Sequence, residues 1–322
     1  MVEERKDVQV VNVDPRSGYV ALVGRPNAGK STLLNALIGD KVAIVSDKPQ
    51  TTRNRIIGIL TEERGQAVFF DLPGVHKPLH RMNTRMMQEV RSALEEVDVI
   101  LHLVDTSISW GRGEEYLFDL LEPVRPPVVG VLTKIDLARA KQDLLPLMER
   151  YHGRRPETPV VPISALEGDG LGELANEVFG LLPEGPPLYP VDLVSTQTER
   201  FFVAEVVREK LLLKTRNELP YTTGVVVDLF DESANLLHLE AVIYVERKSQ
   251  KGIVIGKGGS MIRAIGQEAR EELERIFGAK IYLGLRVKVH PRWRDDPKVL
   301  IEMDPGRVDL LEGIGEDSES EG

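Results

Sequence analysis

From Tyr19 onward, short apolar runs alternate with segments whose apolar residues recur at helical spacing. The runs are Tyr19–Val23, Ala67–Phe70, Val99–Val104, Val128–Leu132 and Pro159–Ile163. Helices are expected near 30–39, 84–96, 113–122, 140–151 and 170–182. Apolar strands separated by helices predict a mostly parallel sheet covered on both faces. Arg53–Thr61 reads as one more strand, antiparallel at the edge. Residues 1–18 are polar and mixed, and read as an extension.

The pattern breaks at Leu182-Pro-Glu-Gly-Pro-Pro-Leu-Tyr-Pro190, where four prolines and a glycine stop the preceding helix and stiffen a linker. The linker is placed at 183–198. A different order follows: helix at about 199–213, strands at 224–230 and 236–246, a short helical stretch, a glycine-rich turn, a helix at 260–277 and a strand at 280–289. That order predicts a smaller α+β domain over 199–300. Ile262, Ile265, Ala269, Leu273 and Ile276 are expected to form one apolar helix face. The last strand alternates, with Ile281, Leu283, Leu285, Val287 and Val289 on one face and Tyr282, Gly284, Arg286 and Lys288 on the other.

The chain has 322 residues, no cysteine, and 41 basic against 51 acidic side chains, a net charge of −10. The absence of cysteine excludes disulfides, thiolate metal sites and a cysteine nucleophile. The average charge argues against a polyanionic partner, but its distribution does not. Residues 241–300 carry 13 basic and 7 acidic side chains, whereas 301–322, an acidic tail, carry 1 and 8. A basic module followed by a detachable acidic tail suits contact with nucleic-acid phosphates, with the tail as an internal competitor. No long apolar segment and no signal-like N-terminus stand out, so a cytoplasmic location is expected.

Gly24-Arg25-Pro26-Asn27-Ala28-Gly29-Lys30-Ser31 follows one apolar strand and opens a helix that begins with Thr32. This is the layout of a phosphate-binding loop: backbone N–H groups close around phosphate oxygens, helped by the helix dipole. Lys30 would reach the β- and γ-phosphates, and Ser31 would offer its hydroxyl to Mg²⁺. Four weaker motifs follow in order. Thr52, within Pro49-Gln-Thr-Thr-Arg53, can ligate Mg²⁺ and close over the γ-phosphate. Asp71-Leu72-Pro73-Gly74 offers a carboxylate to a Mg²⁺-bound water and a glycine N–H to the γ-phosphate. In Thr133-Lys134-Ile-Asp136, the aspartate can accept from the ring N–H and amine of guanine. Ser164-Ala165-Leu166 can present a backbone N–H to the guanine carbonyl. Each motif ends a predicted strand or lies in a loop beside one, at the rim where α/β ligands bind.

Gly256-Lys257-Gly258-Gly259 joins two helical stretches, preceded by Ile255 and followed by Arg263. A Gly-x-x-Gly turn between helices lets backbone approach phosphates closely, as in KH modules that clamp single-stranded nucleic acid. Lys257, Arg263, Arg286 and Lys288 supply charge in the basic stretch.

Residues 19–182 resemble the G domain of translation-factor-class small GTPases, and roughly 19–300 resembles the bacterial Era family. The carriers are the phosphate loop, Pro49-Gln-Thr-Thr-Arg53, Asp71-Leu-Pro-Gly-Val-His-Lys-Pro78, Pro187-Leu-Tyr-Pro190, Glu218-Leu-Pro-Tyr221 and Val254-Ile-Gly-Lys-Gly-Gly259. The resemblance implies an α/β Ras-like G domain with a type II KH domain behind it. It implies GTP hydrolysis to GDP and phosphate, slow by itself and used as a switch. It further implies a role in small (30S) ribosomal subunit assembly and rRNA maturation, through binding near the 3′ end of 16S rRNA. Lys30, Thr52 and Gly74 would serve hydrolysis; Ser31, Thr52 and, through water, Asp71 would serve Mg²⁺. A monomer is expected, with peripheral contact at the cytoplasmic face of the inner membrane as a further partner.

Two departures stand out. Thr133 replaces the usual asparagine of the base motif, which predicts weaker nucleotide binding with guanine specificity kept by Asp136. Val75 stands where Ras-like enzymes place a water-orienting glutamine. Asn27 offers compensation, since in similar GTPases this asparagine helps hold K⁺ near the phosphates. His76 and His80 read as a solvated loop rather than a metal pair, and Met82, Met86 and Met87 read as packing. The competing functions are a GTPase acting at a membrane or protein, with the second domain as adaptor, and a P-loop nucleotide kinase.

Overall fold

A computed structural model describes residues 15–49, 51–75, 81–215, 219–233 and 236–303, with the backbone alone for 81–86, 141, 220, 221 and 297. The first domain contains β1 (Arg16–Gly24), α1 (Lys30–Ile38), β2 (Ile56–Glu62), β3 (Gly65–Asp71), α2 (Arg81–Glu96), β4 (Val99–Asp105) and α3 (Arg112–Leu121). It continues with β5 (Val128–Thr133), α4 (Leu145–Arg154), β6 (Val160–Pro162) and α5 (Leu171–Leu181). The sheet order is β2-β3-β1-β4-β5-β6, with only β2 antiparallel. β3, β4 and β5 are buried along their whole length, because helices cover both faces. Two apolar clusters form the faces: Leu33, Leu34, Leu101 and Val178 on one, Val68, Val90, Ile100 and Leu117 on the other. Met87 belongs to the second cluster, whereas His76 and His80 lie outside the described residues.

β1 starts at Arg16, three residues before the apolar run, so the extension is shorter than the 1–18 expected. Arg16 to Gly18 pair with Gly65 to Ala67, and Ser17 is buried, accepting the Gln66 N–H on Oγ at 3.2 Å. Backbone pairing extends this strand where side-chain hydrophobicity does not.

The linker is docked rather than free. Gln66, fully buried, accepts the N–H groups of Leu188 and Tyr189 on Oε1, both at 2.8 Å. Its amide donates to Tyr189 O and Thr61 Oγ1, both at 3.0 Å. Further on, Val194 O accepts from Ile59 N, and Ser195 Oγ donates to Ile57 O. The linker thus covers the exposed edge of β2.

The second domain contains α6 (Glu199–Lys214), α7 (Leu219–Thr222), β7 (Thr223–Ser233), β8 (Leu236–Val245), α8 (Lys248–Ile255), α9 (Ser260–Phe277), β9 (Ile281–Val289) and α10 (Pro297–Met303). Its sheet runs β7-β8-β9, antiparallel then parallel. Thr198 caps α6, its Oγ1 accepting from Phe201 N. Ile265, Ala269 and Leu273 of α9 are fully buried against this sheet, but Ile276 is exposed, contrary to the expected stripe. At 100° per residue, Phe277 rather than Ile276 continues the line from Leu273, and Phe277 meets Phe202 edge-on. α10 and Trp293 cover part of the outer sheet face at Val226, Val242 and Tyr244. The tail from 304 lies outside the described residues.

Candidate nucleotide and RNA sites

The phosphate loop spans the turn between β1 and α1. Asn27 and Gly29 take positive φ, 65° and 90°, which curls the backbone N–H groups towards one point. Gly24 has no room for a side chain: a Cβ would lie 2.8 Å from Leu103 O. Gly74 closes on the loop from the other side, where a Cβ would come within 2.7 Å of Pro26 Cα. Val75 N donates to Gly24 O at 3.0 Å, and the Val75 side chain is buried in the core. Valine here therefore packs into the core beneath the loop, and its side chain does not face the cleft.

Lys30 is buried, with Nζ donating to Gly24 O and Arg25 O at 3.4 and 3.1 Å. Ser31 Oγ donates to Asp71 Oδ2 at 2.5 Å, and lies 3.0 Å from Thr52 Oγ1. Thr52 Oγ1 donates to the same Asp71 oxygen at 3.2 Å. Burial pushes the Lys30 ammonium down against the pull of Asp71, and pushes the Asp71 carboxyl up against Lys30 and both hydroxyls. Each charge thus awaits an opposite one: phosphate for Lys30 and a cation for Asp71. Asp71 Oδ1 is buried with no hydrogen-bond partner. Three hard oxygen donors with one open carboxylate oxygen fit Mg²⁺. A cleft lined by Asn27, Lys30, Ser31, Thr32, Thr52 and Gly74 opens above them, whereas Leu72 is in the core, behind the site.

The base side is assembled from three strand ends. Thr133 is buried, and its hydroxyl donates to Ala28 O at 2.8 Å, tying β5 to the phosphate loop. Lys134 takes a positive φ of 61° and donates to Asp105 Oδ2 at 2.6 Å. Asp136 is exposed, with Oδ1 accepting from Ser164 Oγ at 2.6 Å. Ser164 also shapes its own loop: its Oγ accepts from Glu167 N, and its carbonyl from Gly168 N. Leu166 stands 77% exposed at this rim. No motif marks Asp105 in the sequence, although it ends an apolar strand just as Asp71 does.

The segment around Thr51 and Thr52 touches the second domain. Arg208 of α6 is 3% exposed, pairs with Glu205 and donates to Thr51 O. Glu209 accepts from Val45 N at 2.8 Å, and Arg53 Nη1 donates to Thr223 O at 2.9 Å. Lys41 and Lys210 each bridge Glu209 and Glu272. No sequence signal marked Arg208 or Glu209, since charged residues on a helix usually face water.

At the glycine turn, Gly256, Gly258 and Gly259 take positive φ of 72°, 60° and 79°. Lys257 is exposed beside them, and Arg263 folds back with Nε donating to Gly259 O at 3.2 Å. Ile255, Lys257 and Arg263 therefore share one place with the glycines. Arg286 and Lys288 do not. They lie on the sheet face opposite α9, where Arg286 pairs with Asp228 and Lys288 sits over the Tyr244 ring. Strand alternation, which turns Leu285 onto Gly266 of α9, turns these two the other way.

Residues 19–134 match a family model described as 50S ribosome-binding GTPase, and residues 218–294 match a KH domain model. A solved structure of an Aquifex aeolicus Era variant bound to GDP·AlF4⁻ is 40% identical. It aligns at TM-score 0.85 over 89% of this chain and 98% of that one. Era in complex with MgGDPNP and nucleotides 1506–1542 of 16S ribosomal RNA is 39% identical, at TM-score 0.85, over 90% of this chain and 98% of that one. With the phosphate loop, the base strand ends and the Gly-x-x-Gly turn all in place, this chain belongs to the Era family of GTPases with a C-terminal KH domain.

Proposed function

We propose that the chain binds GTP and Mg²⁺ between 24 and 166, hydrolyses GTP, and holds single-stranded RNA near the 3′ end of 16S rRNA on its Gly256–Gly259 turn, during small-subunit assembly in the cytoplasm. Lys30 supplies positive charge to the β- and γ-phosphates. The Gly74 N–H is the γ-phosphate sensor, and Thr52 closes over it from the other side. Ser31, Thr52 and the Asp71 carboxylate are the Mg²⁺ holders, and the ion when bound neutralises charge on the phosphate oxygens. Hydrolysis is slow by itself because Val75 positions no water. Asn27 Nδ2 donates to Asp47 O at 2.8 Å, which sets its amide against the loop before Thr51. That placement suits a K⁺ ion shared by the amide, the loop and the phosphates. Equal hydrolysis rates in KCl and NaCl would remove it.

One observation carries the switch: adjacent residues serve both domains. Thr52 joins Ser31 and Asp71, while the carbonyl of Thr51 accepts from Arg208. Loss of the γ-phosphate releases Thr52, and with it the purchase of α6 on the first domain. The test measures the affinity of the full chain for a single-stranded RNA from the 16S 3′ end, with GDP and with a non-hydrolysable GTP analogue. Different affinities are expected, and identical ones refute the coupling. Among the described residues no helix is long and apolar enough to cross a membrane, and nothing in the geometry favours the membrane reading.

A further inference from the structure

Behind the phosphate loop lies a buried polar group that the site as described does not use. Glu114, in the first turn of α3, is 2% exposed. Its Oε1 lies 3.5 Å from the guanidinium of Arg25, the second residue of the phosphate loop. Its Oε2 has no hydrogen-bond partner and faces His102 Nε2 at 3.8 Å. His102 is itself fully buried, and its Nδ1 lies 3.1 Å from the Tyr151 hydroxyl. Burial pushes the His102 imidazolium down, against the pull of Glu114, so the ring is neutral at neutral pH. The charge that balances Glu114 is then Arg25.

The fold makes room for this pair. A Cβ on Gly113 would sit 2.8 Å from Arg25 Nε, so the guanidinium passes where only glycine stands. Arg25 also bears on catalysis through its backbone. Its carbonyl accepts from Lys30 Nζ and from Ala28 N. Fixing the Arg25 side chain fixes the carbonyl that seats the catalytic lysine. A buried carboxylate is an unusually stiff anchor, because letting go of the cation it pairs with strands the charge.

We infer that Glu114 is a positioning residue for GTP hydrolysis: it holds Arg25, and through Arg25 the loop that seats Lys30. The two ends of the pair differ in exposure, and this separates positioning from plain stability. Arg25 is 31% exposed, so Glu114→Gln, which removes the charge, loosens the hold on it without stranding a carboxylate. Arg25→Ala strands the carboxylate.

The experiment measures kcat and KM for GTP, and the melting temperature, for E114Q, R25A, R25K and the R25A/E114Q double variant of the full chain. E114Q is expected to keep the melting temperature and lose kcat by about tenfold, the scale of a slightly misplaced catalytic group. R25A is expected to lose both, and R25K, which keeps a cation, to lose less kcat than R25A. The double variant should recover the melting temperature but not kcat. Wild-type kcat and KM in E114Q, or wild-type kcat in the double variant, would overturn the inference. If E114Q itself melts early, the double variant still decides it, because its carboxylate and cation are both gone.

Discussion

Thr133 offers the sharpest test of how the two halves of the nucleotide site are joined. Its hydroxyl donates to Ala28 O at 2.8 Å, inside the protein, and no other side chain makes this link between β5 and the phosphate loop among the described bonds. Thr133→Val keeps shape and volume and removes only the donor. A neutral hydrogen bond contributes about 1 kcal/mol net, and a stranded buried acceptor costs about 1–3 kcal/mol. The phosphates bind on one side of this link and the base on the other, so a loosened link is re-formed when nucleotide binds. A cost of about 1.4 kcal/mol is tenfold in affinity. Titration with a fluorescent GDP analogue should therefore show Thr133→Val binding about tenfold more weakly. Thr133→Ser, which keeps the hydroxyl, should stay close to wild type. Thr133→Asn should bind at least as well as wild type, since it restores an amide donor. If the valine variant binds normally, or the serine variant binds as weakly as the valine one, the tether does not organise the site.

Three further outcomes are expected. Asp136→Asn should shift preference from GTP towards XTP, since two hydrogen bonds from guanine to a charged acceptor, about 1.5–3 kcal/mol each, are lost or weakened; unchanged GTP hydrolysis refutes the assignment. Gly258→Asp should abolish RNA binding, because the added carboxylate faces phosphate; a Cβ there meets nothing within 4 Å, and aspartate is among the residues that tolerate the φ of 60° at some strain; undiminished RNA affinity in a variant shown to be folded removes the site. The Lys41–Glu272 bridge between the domains should weaken in acid. Partners hold the Glu272 carboxyl below its ordinary 4.5, so its contribution is present above that value and is lost as pH falls through the folded value. Small-angle scattering should show the domains docked at neutral pH and loosening once Glu272 is protonated in acid; particle dimensions unchanged throughout the acid range contradict this.

The first domain was legible because its chemistry and its hydrophobicity coincide. Gly24, Asp71 and Thr133 each stand at the end of a strand whose apolar run marks it. What was not legible depends on partners distant in the chain. Arg16–Gly18 became strand through pairing with Gly65–Ala67, which no local pattern announces. Arg208 and Glu209 look like solvent residues until the loop after α1 closes on them. Arg286 and Lys288 share the charge of the glycine turn, but alternation in β9 sends them to the other face of the sheet. Ile276 fits the apolar stripe of α9 by type, yet its angular position exposes it. Glu114 and His102 gave no signal at all, because their significance rests on being buried together.

The docked linker determines how the RNA-binding domain can move. Ser195 is tied to β2, and Thr198 already caps α6, so only residues 196 and 197 lie between the two anchors. At about 3.5 Å per residue, that leaves roughly 10 Å of backbone from Ser195 to Thr198. Such a joint permits a swing and forbids wandering. With the linker seated, breaking the bonds of Arg208, Glu209, Arg53 and Lys41 across the domains would let the KH domain turn about this pivot. Because β2 joins the Thr51–Thr52 loop to β3, the pivot is mounted on the strand that leads away from the nucleotide. Bound RNA would then be carried through an arc around the GTPase domain, as on a short crank, and delivered to a repeatable position at each turnover.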